Sequence, residues 1–199
     1  MMGISVEALT GSALTAALPD LARLRIAVFR DWPYLYDGDL DYEHRYLAKF
    51  AASLDTIMVI ARDGETIVGA STGCPLTGQA DDFAATFRAH GFDPTTIYYF
   101  GESVLLPAYR GQGIGHSFFG HREARARYLG RFSHTTFCGV VRPPDHPQQP
   151  RQFRTLNSFW RRRGYAPIEG LITDLSWKDI GEPAPSPKPM QFWMRDVWS

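Results

Sequence analysis

Charge of either sign is not in excess: 21 lysines and arginines stand against 21 aspartates and glutamates, a formal net charge of zero. A chain so balanced has no global field to recruit nucleic acid or an acidic membrane surface, so any anion it binds must be held by local groups. Cysteine is scarce as well. Cys74 and Cys138 are too few for a disulfide framework in a chain of this length, and burial as small apolar side chains is the expected fate of both. No apolar run approaches membrane length, no basic stretch leads into an apolar one near Met1, and no segment repeats. The expectation is one domain over residues 1–199, placed in the cytoplasm, with neither membrane nor nucleic acid as a partner.

What is present is apolar and aromatic. With 44% of residues apolar and 14% aromatic, 199 residues suffice for a sizeable core. Alternation suggests a first strand over Ile4 to Thr10, and helical spacing runs from Leu14 to Phe29 with Leu18, Leu21, Leu24 or Arg25, and Val28 on one side. Asp39 is placed to cap a helix from Leu40 to Ala52. Residues 55–61 and 66–72 read as two strands joined by Arg62-Asp63-Gly64-Glu65, whose Asp-Gly pair is a hairpin signal. A small helix from Asp81 to His90 follows. Ile97 to Leu106 is a strand ended by Pro107, and the helix after it is expected to turn Ile114, Phe118, Ala124 and Tyr128 inward and Glu123 and Arg127 outward, stopping at Gly130. Further strands are read at Thr135–Val141, Leu171–Trp177 and Met190–Val197, with a helix at Phe153–Arg163. Gly181 to Pro189, with proline at every second position from Pro183, reads as a stiff connector. These elements predict an α/β (α+β) fold: a mixed, mostly antiparallel sheet flanked by helices.

The chemistry concentrates after the strand at 97–106. In Arg110-Gly111-Gln112-Gly113-Ile114-Gly115 alternate residues are glycine, so successive N–H groups can turn toward one point at a helix start, an arrangement that holds anions. A dinucleotide fingerprint is excluded because His116 or Phe118 stands where its third glycine belongs. A nucleotide P-loop is excluded because His121 and Arg122 follow Gly120 in place of Lys and Ser/Thr. Asp37, Asp39 and Asp41 mimic a calcium loop, but Tyr42 and Ala48 stand where its glycine and closing glutamate should be, and no metal is expected. A Cys138/His134 nucleophile is rejected in favour of an inert thiol.

The run from Leu105 to Gly115, with Arg110, Gly113 and Gly115 in the pattern Q/R-x-x-G-x-G/A, resembles the turn of the GNAT superfamily of acetyl-coenzyme A-dependent N-acyltransferases. The resemblance covers most of the chain and is weakest before residue 55. It implies the GNAT-like version of the sheet and transfer of an acetyl group from acetyl-coenzyme A to a primary amine of a small molecule or protein, with association as a homodimer left open. It further implies that N–H groups of Arg110, Gly111, Gln112, Gly113, Ile114 and Gly115 grip the diphosphate. Val104, Leu105 and Leu106 would pair with the pantetheine arm, with the N–H of Leu105 or Leu106 facing the oxyanion. Glu102, the one carboxylate in the central strand, is the expected general base if it faces the right side of the sheet. Gly164-Tyr165 resembles the family's helix ending, and counting back puts Trp160 where many members carry a tyrosine acid. An indole cannot serve as that acid, so Trp160 and the displaced Asn157 are expected to touch the donor only. The Arg110 side chain is the expected partner of the outer phosphates, and Arg122, Arg125, Arg154 and Arg161 to Arg163 are left open. The loop with Trp32, Tyr34, Tyr36 and Asp37 suits a cationic acceptor, or is an ordinary surface loop. An acyl-coenzyme A-binding module without turnover is the alternative from another class, and transfer to a hydroxyl or a protein N-terminus a further one.

Overall fold

Seven strands form one sheet in the order β1-β2-β3-β4-β5-β7-β6 in the computed structural model, which describes residues 3–79 and 81–199. The strands are β1 (Ser5–Leu9), β2 (Ile57–Asp63), β3 (Thr66–Pro75), β4 (Ile97–Leu105), β5 (His134–Val140), β6 (Ala166–Trp177) and β7 (Ser186–Asp196). Every neighbouring pair is antiparallel except β4 and β5. The helices are α1 (Gly11–Ala16), α2 (Leu18–Phe29), α3 (Leu40–Ala52), α4 (Asp81–Ala89), α5 (Ile114–Leu129) and α6 (Asn157–Arg162).

Two apolar layers sandwich the sheet. Leu14, Leu21, Leu24, Leu47, Phe50, Phe83 and Phe87 bring α1 to α4 onto one face. Ile114, Phe118, Phe119 and Ala126 bring α5 onto the other, where Phe159 and Trp160 of α6 join it. Burying each large side chain of this kind is worth about 1.5–3 kcal/mol. No described helix is long and apolar enough to cross a membrane.

Local chemistry explains the clearer boundaries. Gly64 takes φ 57° in the β2–β3 hairpin, as the Asp-Gly pair requires. Asp39 accepts the N–H of Tyr42 at 2.7 Å and caps α3.

Several boundaries differ from expectation. The single helix expected over 14–29 is two, parted at Ala17, because Pro19 has no N–H to continue the first ladder yet fits the first turn of the second. In α5 the buried stripe is Ile114, Phe118, Arg122 and Ala126, flanked by Phe119 and Glu123; Ala124 and Tyr128 are exposed. Glu123 was expected to face out, but it is buried because Arg163 at 2.6 Å and Arg195 at 3.5 Å neutralise it. α6 is only its last part: Phe153 lies outside the helix and packs edge-on against Trp32 at 5.8 Å. β6 begins at Ala166, with a register shift between Pro167 and Ile172. The proline connector is partly strand. Pro187 and Pro189 pair with β6, and the Pro189 carbonyl accepts from Val141 N–H at 2.8 Å, so alternate prolines turn their missing donors away from β6.

Candidate active site

The geometry of the site begins with the one parallel pair. β4 and β5 are in register only at Ile97–His134, Tyr98–Thr135 and Tyr99–Thr136, after which they part. β4 bulges just past that point: Ser71 faces Ser103 but Gly73 faces Phe100, so Thr72 lies opposite both Gly101 and Glu102. Gly101 is required here, since a Cβ on it would fall 2.4 Å from Thr72 Oγ1. The extra residue reverses side-chain parity. Tyr98 and Phe100 pack on the α5 face, whereas Val104, also even-numbered, packs with α1 to α4. Glu102 is carried to that second face, which is the question its sequence position left open.

Glu102 is buried there. Its Oε2 receives Arg25 Nη1 of α2 at 2.5 Å and its Oε1 receives Thr72 Oγ1 at 3.0 Å. Arg25 Nε is in turn 2.5 Å from Oε2 of Glu43, a fully buried residue of α3 whose Oε1 accepts the Tyr36 hydroxyl at 2.9 Å. Beneath the guanidinium lie the rings of Tyr46 at 4.5 Å and Phe29 at 5.2 Å. Neither Arg25 nor Glu43 was singled out from the sequence. The available signal was a charge on an otherwise apolar helical stripe: Arg25 beside Leu21 and Leu24, Glu43 beside Leu47 and Phe50.

On the opposite face, Arg122 is buried rather than available to phosphate or solvent. Its Nε donates to the Phe118 carbonyl at 3.2 Å, Nη1 to the carbonyls of Thr72 at 3.2 Å and Glu102 at 3.4 Å, and Nη2 to Ser103 Oγ at 2.9 Å. It ties α5 to the bulge. Burial lowers its pKa to about 10, which still leaves it charged at neutral pH. Among the remaining arginines, Arg125 lies 3.7 Å from Asp55, Arg163 is bonded to Glu123, and Arg161 sits 5.4 Å over Trp193.

The glycine turn stands at the end of β4. Gly111 and Gly113 take φ 79° and 82°, and α5 starts at once. Among the described residues, the N–H groups of Gly111, Gln112, Gly113, Ile114 and Gly115 have no backbone acceptor, and they open at the positive end of a 16-residue helix. The Arg110 N–H is committed to the Pro107 carbonyl at 3.1 Å, and its Nε reaches back to the Leu105 carbonyl at 3.2 Å.

Strand alternation corrects the pantetheine-edge expectation. The Leu106 N–H donates to the Val68 carbonyl at 3.0 Å, so Leu106, and Val104 with it, turn their backbones toward β3. Leu105 faces the gap. It is the one residue of the three whose N–H is directed there.

The aromatic loop runs from the end of α2 along the β6–β7 side of the gap. Arg142 holds it, donating to the carbonyls of Pro33 at 2.8 Å and Tyr34 at 2.7 Å, and to Asp179 at 2.7 and 3.0 Å. Tyr34 lies against Phe29 at 4.4 Å and Trp177 at 5.9 Å. Burial, then Cys138, raise its pKa, with Glu102 and Arg25 also close enough to act on it. Trp32 packs on His146 at 4.9 Å, and its buried indole N–H has no partner among the described residues. Asp37 does not join this cluster: it pairs with Lys178 at 2.8 Å. The two ends of the expected donor contact from α6 differ as well. Asn157 lies in its first turn, while Trp160 packs on Phe137 and Trp193, both at 5.0 Å, over Gly139. Cys138 lies 3.3 Å from the Tyr99 hydroxyl, and burial pushes its thiol up to about 11; His134 bonds Ser133 at 2.8 Å instead.

No protein-family model matches the sequence, and no curated protein matches it by sequence. Solved structures do match by shape. A ribosomal-protein-alanine N-acetyltransferase from Brucella melitensis aligns over 96% of this chain and 99% of its own, with a TM-score of 0.61 at 13% identity. An acetyltransferase of the GNAT family from Staphylococcus aureus Mu50 aligns over 97% and 99%, at 0.60 and 10% identity. PaiA N-acetyltransferase from Thermoplasma acidophilum, solved with coenzyme A, aligns over 98% and 99%, at 0.57 and 13% identity. The chain therefore has the GNAT N-acetyltransferase fold, as the turn at 110–115 implied.

Proposed function

We propose that this protein is an acetyltransferase that moves the acetyl group of acetyl-coenzyme A directly to a primary amine. The observation that carries the reading is the row of uncommitted N–H groups from Gly111 to Gly115, opening beside the gap left where β4 and β5 part. A diphosphate held by that row directs the pantetheine arm along the free edge of β4, where Leu105 supplies the N–H facing it. The other face of the bulge meets the acceptor. Glu102 takes a proton from the incoming ammonium, and the neutral amine attacks the thioester carbonyl. The Leu105 N–H stabilises the developing oxyanion, a C–N bond forms, the C–S bond breaks, and the extra proton still on the acylated nitrogen passes through water to the departing coenzyme A thiolate. Tyr34, Trp32 and Tyr36 wall the acceptor side, and a buried carboxylate among rings suits a cation.

That solved structures of the same fold include acetyltransferases, one of them with coenzyme A, supports the reading. Release of free thiol from acetyl-coenzyme A across a panel of primary amines tests it, with product mass identifying the acylated atom. Thiol release with at least one amine, and an added acetyl on its nitrogen, is the expected result. Donor binding without turnover for every amine would replace the enzyme with a binding module, and an ester product would replace the amine with a hydroxyl.

A further inference from the structure

Arg25 is claimed twice. Two buried carboxylates, Glu43 and Glu102, each approach its guanidinium to 2.5 Å from different elements, and each has its second oxygen occupied by a hydroxyl, Tyr36 for one and Thr72 for the other. Two carboxylates against one guanidinium leave one negative charge in excess in a place where an uncompensated charge is costly. A strut for Glu102 would need only one of them. The second draws the guanidinium toward α3 and so divides its field between the two carboxylates.

Among the described residues, the tyrosines and thiols packed against the cluster stay uncharged near neutral pH. From the aromatic loop, Tyr34 and Tyr36 are pushed above the usual phenol range by burial, and Tyr46 of α3 likewise. Burial also raises Tyr99 of β4 and takes Cys74 of β3 and Cys138 of β5 up to about 12 and about 11. For Arg25, burial works against its charge but is outweighed by Glu102, then Tyr46 and Glu43. Arg122, across the sheet, bonds the carbonyl of Glu102 and not its carboxylate.

We propose that Arg25 and Glu43 are positioning residues that set how strongly Glu102 holds a proton, Arg25 favouring the carboxylate and Glu43 drawing Arg25 away. The inference rests on Glu102 as the proton acceptor. Removing Arg25 and removing the charge of Glu43 then act in opposite directions, which a purely structural role would not produce.

The test is a carboxyl titration by NMR on full-length protein labelled with ¹³C at glutamate, the Glu102 signal being identified by its loss in Glu102→Gln. Arg25→Met is expected to move the Glu102 midpoint up by about one pH unit or more, and Glu43→Gln to move it down by about half a unit. Arg25→Lys restores most of the first shift, and this variant together with Glu43→Gln decides the matter if Arg25→Met does not fold. Midpoints that stay put, or move the same way in both variants, overturn the proposal. In thiol-release assays the acid limb of kcat/KM follows the midpoint. A wild-type protein that turns over no amine would sink the acetyltransferase reading while leaving the carboxyl comparison intact. Unmoved midpoints in an active enzyme would sink this inference alone.

Discussion

Gly113→Ala isolates the turn on which the proposed donor site depends. Gly113 holds φ 82° at the N-cap of α5, and a Cβ built there meets nothing within 4 Å, so the substitution introduces no clash and acts through backbone conformation alone. A residue with a Cβ in the left-handed region costs about 1–2 kcal/mol, which in a chain of this size lowers Tm by about 2–8 °C. If the backbone instead relaxes to negative φ, the N–H groups of Gly113 to Gly115 rotate off the common point. Losing one charge-assisted hydrogen bond, at about 1.5–3 kcal/mol, weakens coenzyme A about 10- to 100-fold. Gly120→Ala is the control: it lies inside α5, it too is open around its Cβ, and alanine there stabilises the helix by about 0.5–1 kcal/mol. The assay is calorimetric titration with coenzyme A alongside thermal unfolding of both variants. A Gly113→Ala protein that melts with wild type, its backbone having relaxed, and still binds coenzyme A within about twofold of wild type would refute the cradle reasoning, as would equal weakening in Gly120→Ala.

Glu102→Gln is expected to reduce turnover about a hundredfold or more with coenzyme A affinity unchanged; steady-state rates equal to wild type would remove Glu102 from the proton-accepting role. Arg122→Met leaves the carbonyls of Phe118, Thr72 and Glu102 and the Ser103 hydroxyl without their donor, and should cost about 3 kcal/mol or more in urea unfolding. A loss under about 1 kcal/mol would mean the bulge does not need it. Cys74 predicts an alkaline loss of stability. Burial raises its folded pKa to about 12 from an ordinary 9.0, so its contribution is complete below pH 9 and is lost as pH rises toward 12. The folded state binds the extra proton in that window, and stability falls by about 1.4 kcal/mol per pH unit. Cys74→Ala should make the fall between pH 9 and 11 shallower by that amount, Cys138 and the buried tyrosines supplying the remainder, and identical slopes would contradict the burial argument.

What could be read from residues alone was what neighbouring residues decide. Asp63-Gly64 needs only its own backbone preference to make the hairpin, Asp39 reaches a N–H three residues on, and the alternating glycines before a helical stripe need no distant partner to form a turn that leaves its N–H groups open. The proposed acceptor side was less legible because distant partners build it. Glu102 faces α2 through a bulge set by Thr72 on another strand, and its counter-ion lies 77 residues away on Arg25. Which of Leu105 and Leu106 turns its N–H toward the gap was ambiguous until pairing with Val68 used one of them. Glu123 was placed in solvent and Arg122 left open as a phosphate partner because charge on a helix ordinarily goes to the surface. Each instead found partners on other elements: strand carbonyls for Arg122, Arg163 and Arg195 for Glu123. Asp37 lies apart from the packed aromatic side chains of its loop for a similar reason, with Lys178 as its partner.

Backbone amide spectra recorded as coenzyme A is added to ¹⁵N-labelled protein bear most directly on the central claim. The account predicts that the amide signals of Gly111 to Gly115 shift most and gain protection from exchange as the donor saturates, with Leu105 following when the acetyl form is used. Binding that leaves those signals in place, or no binding at all, would contradict it.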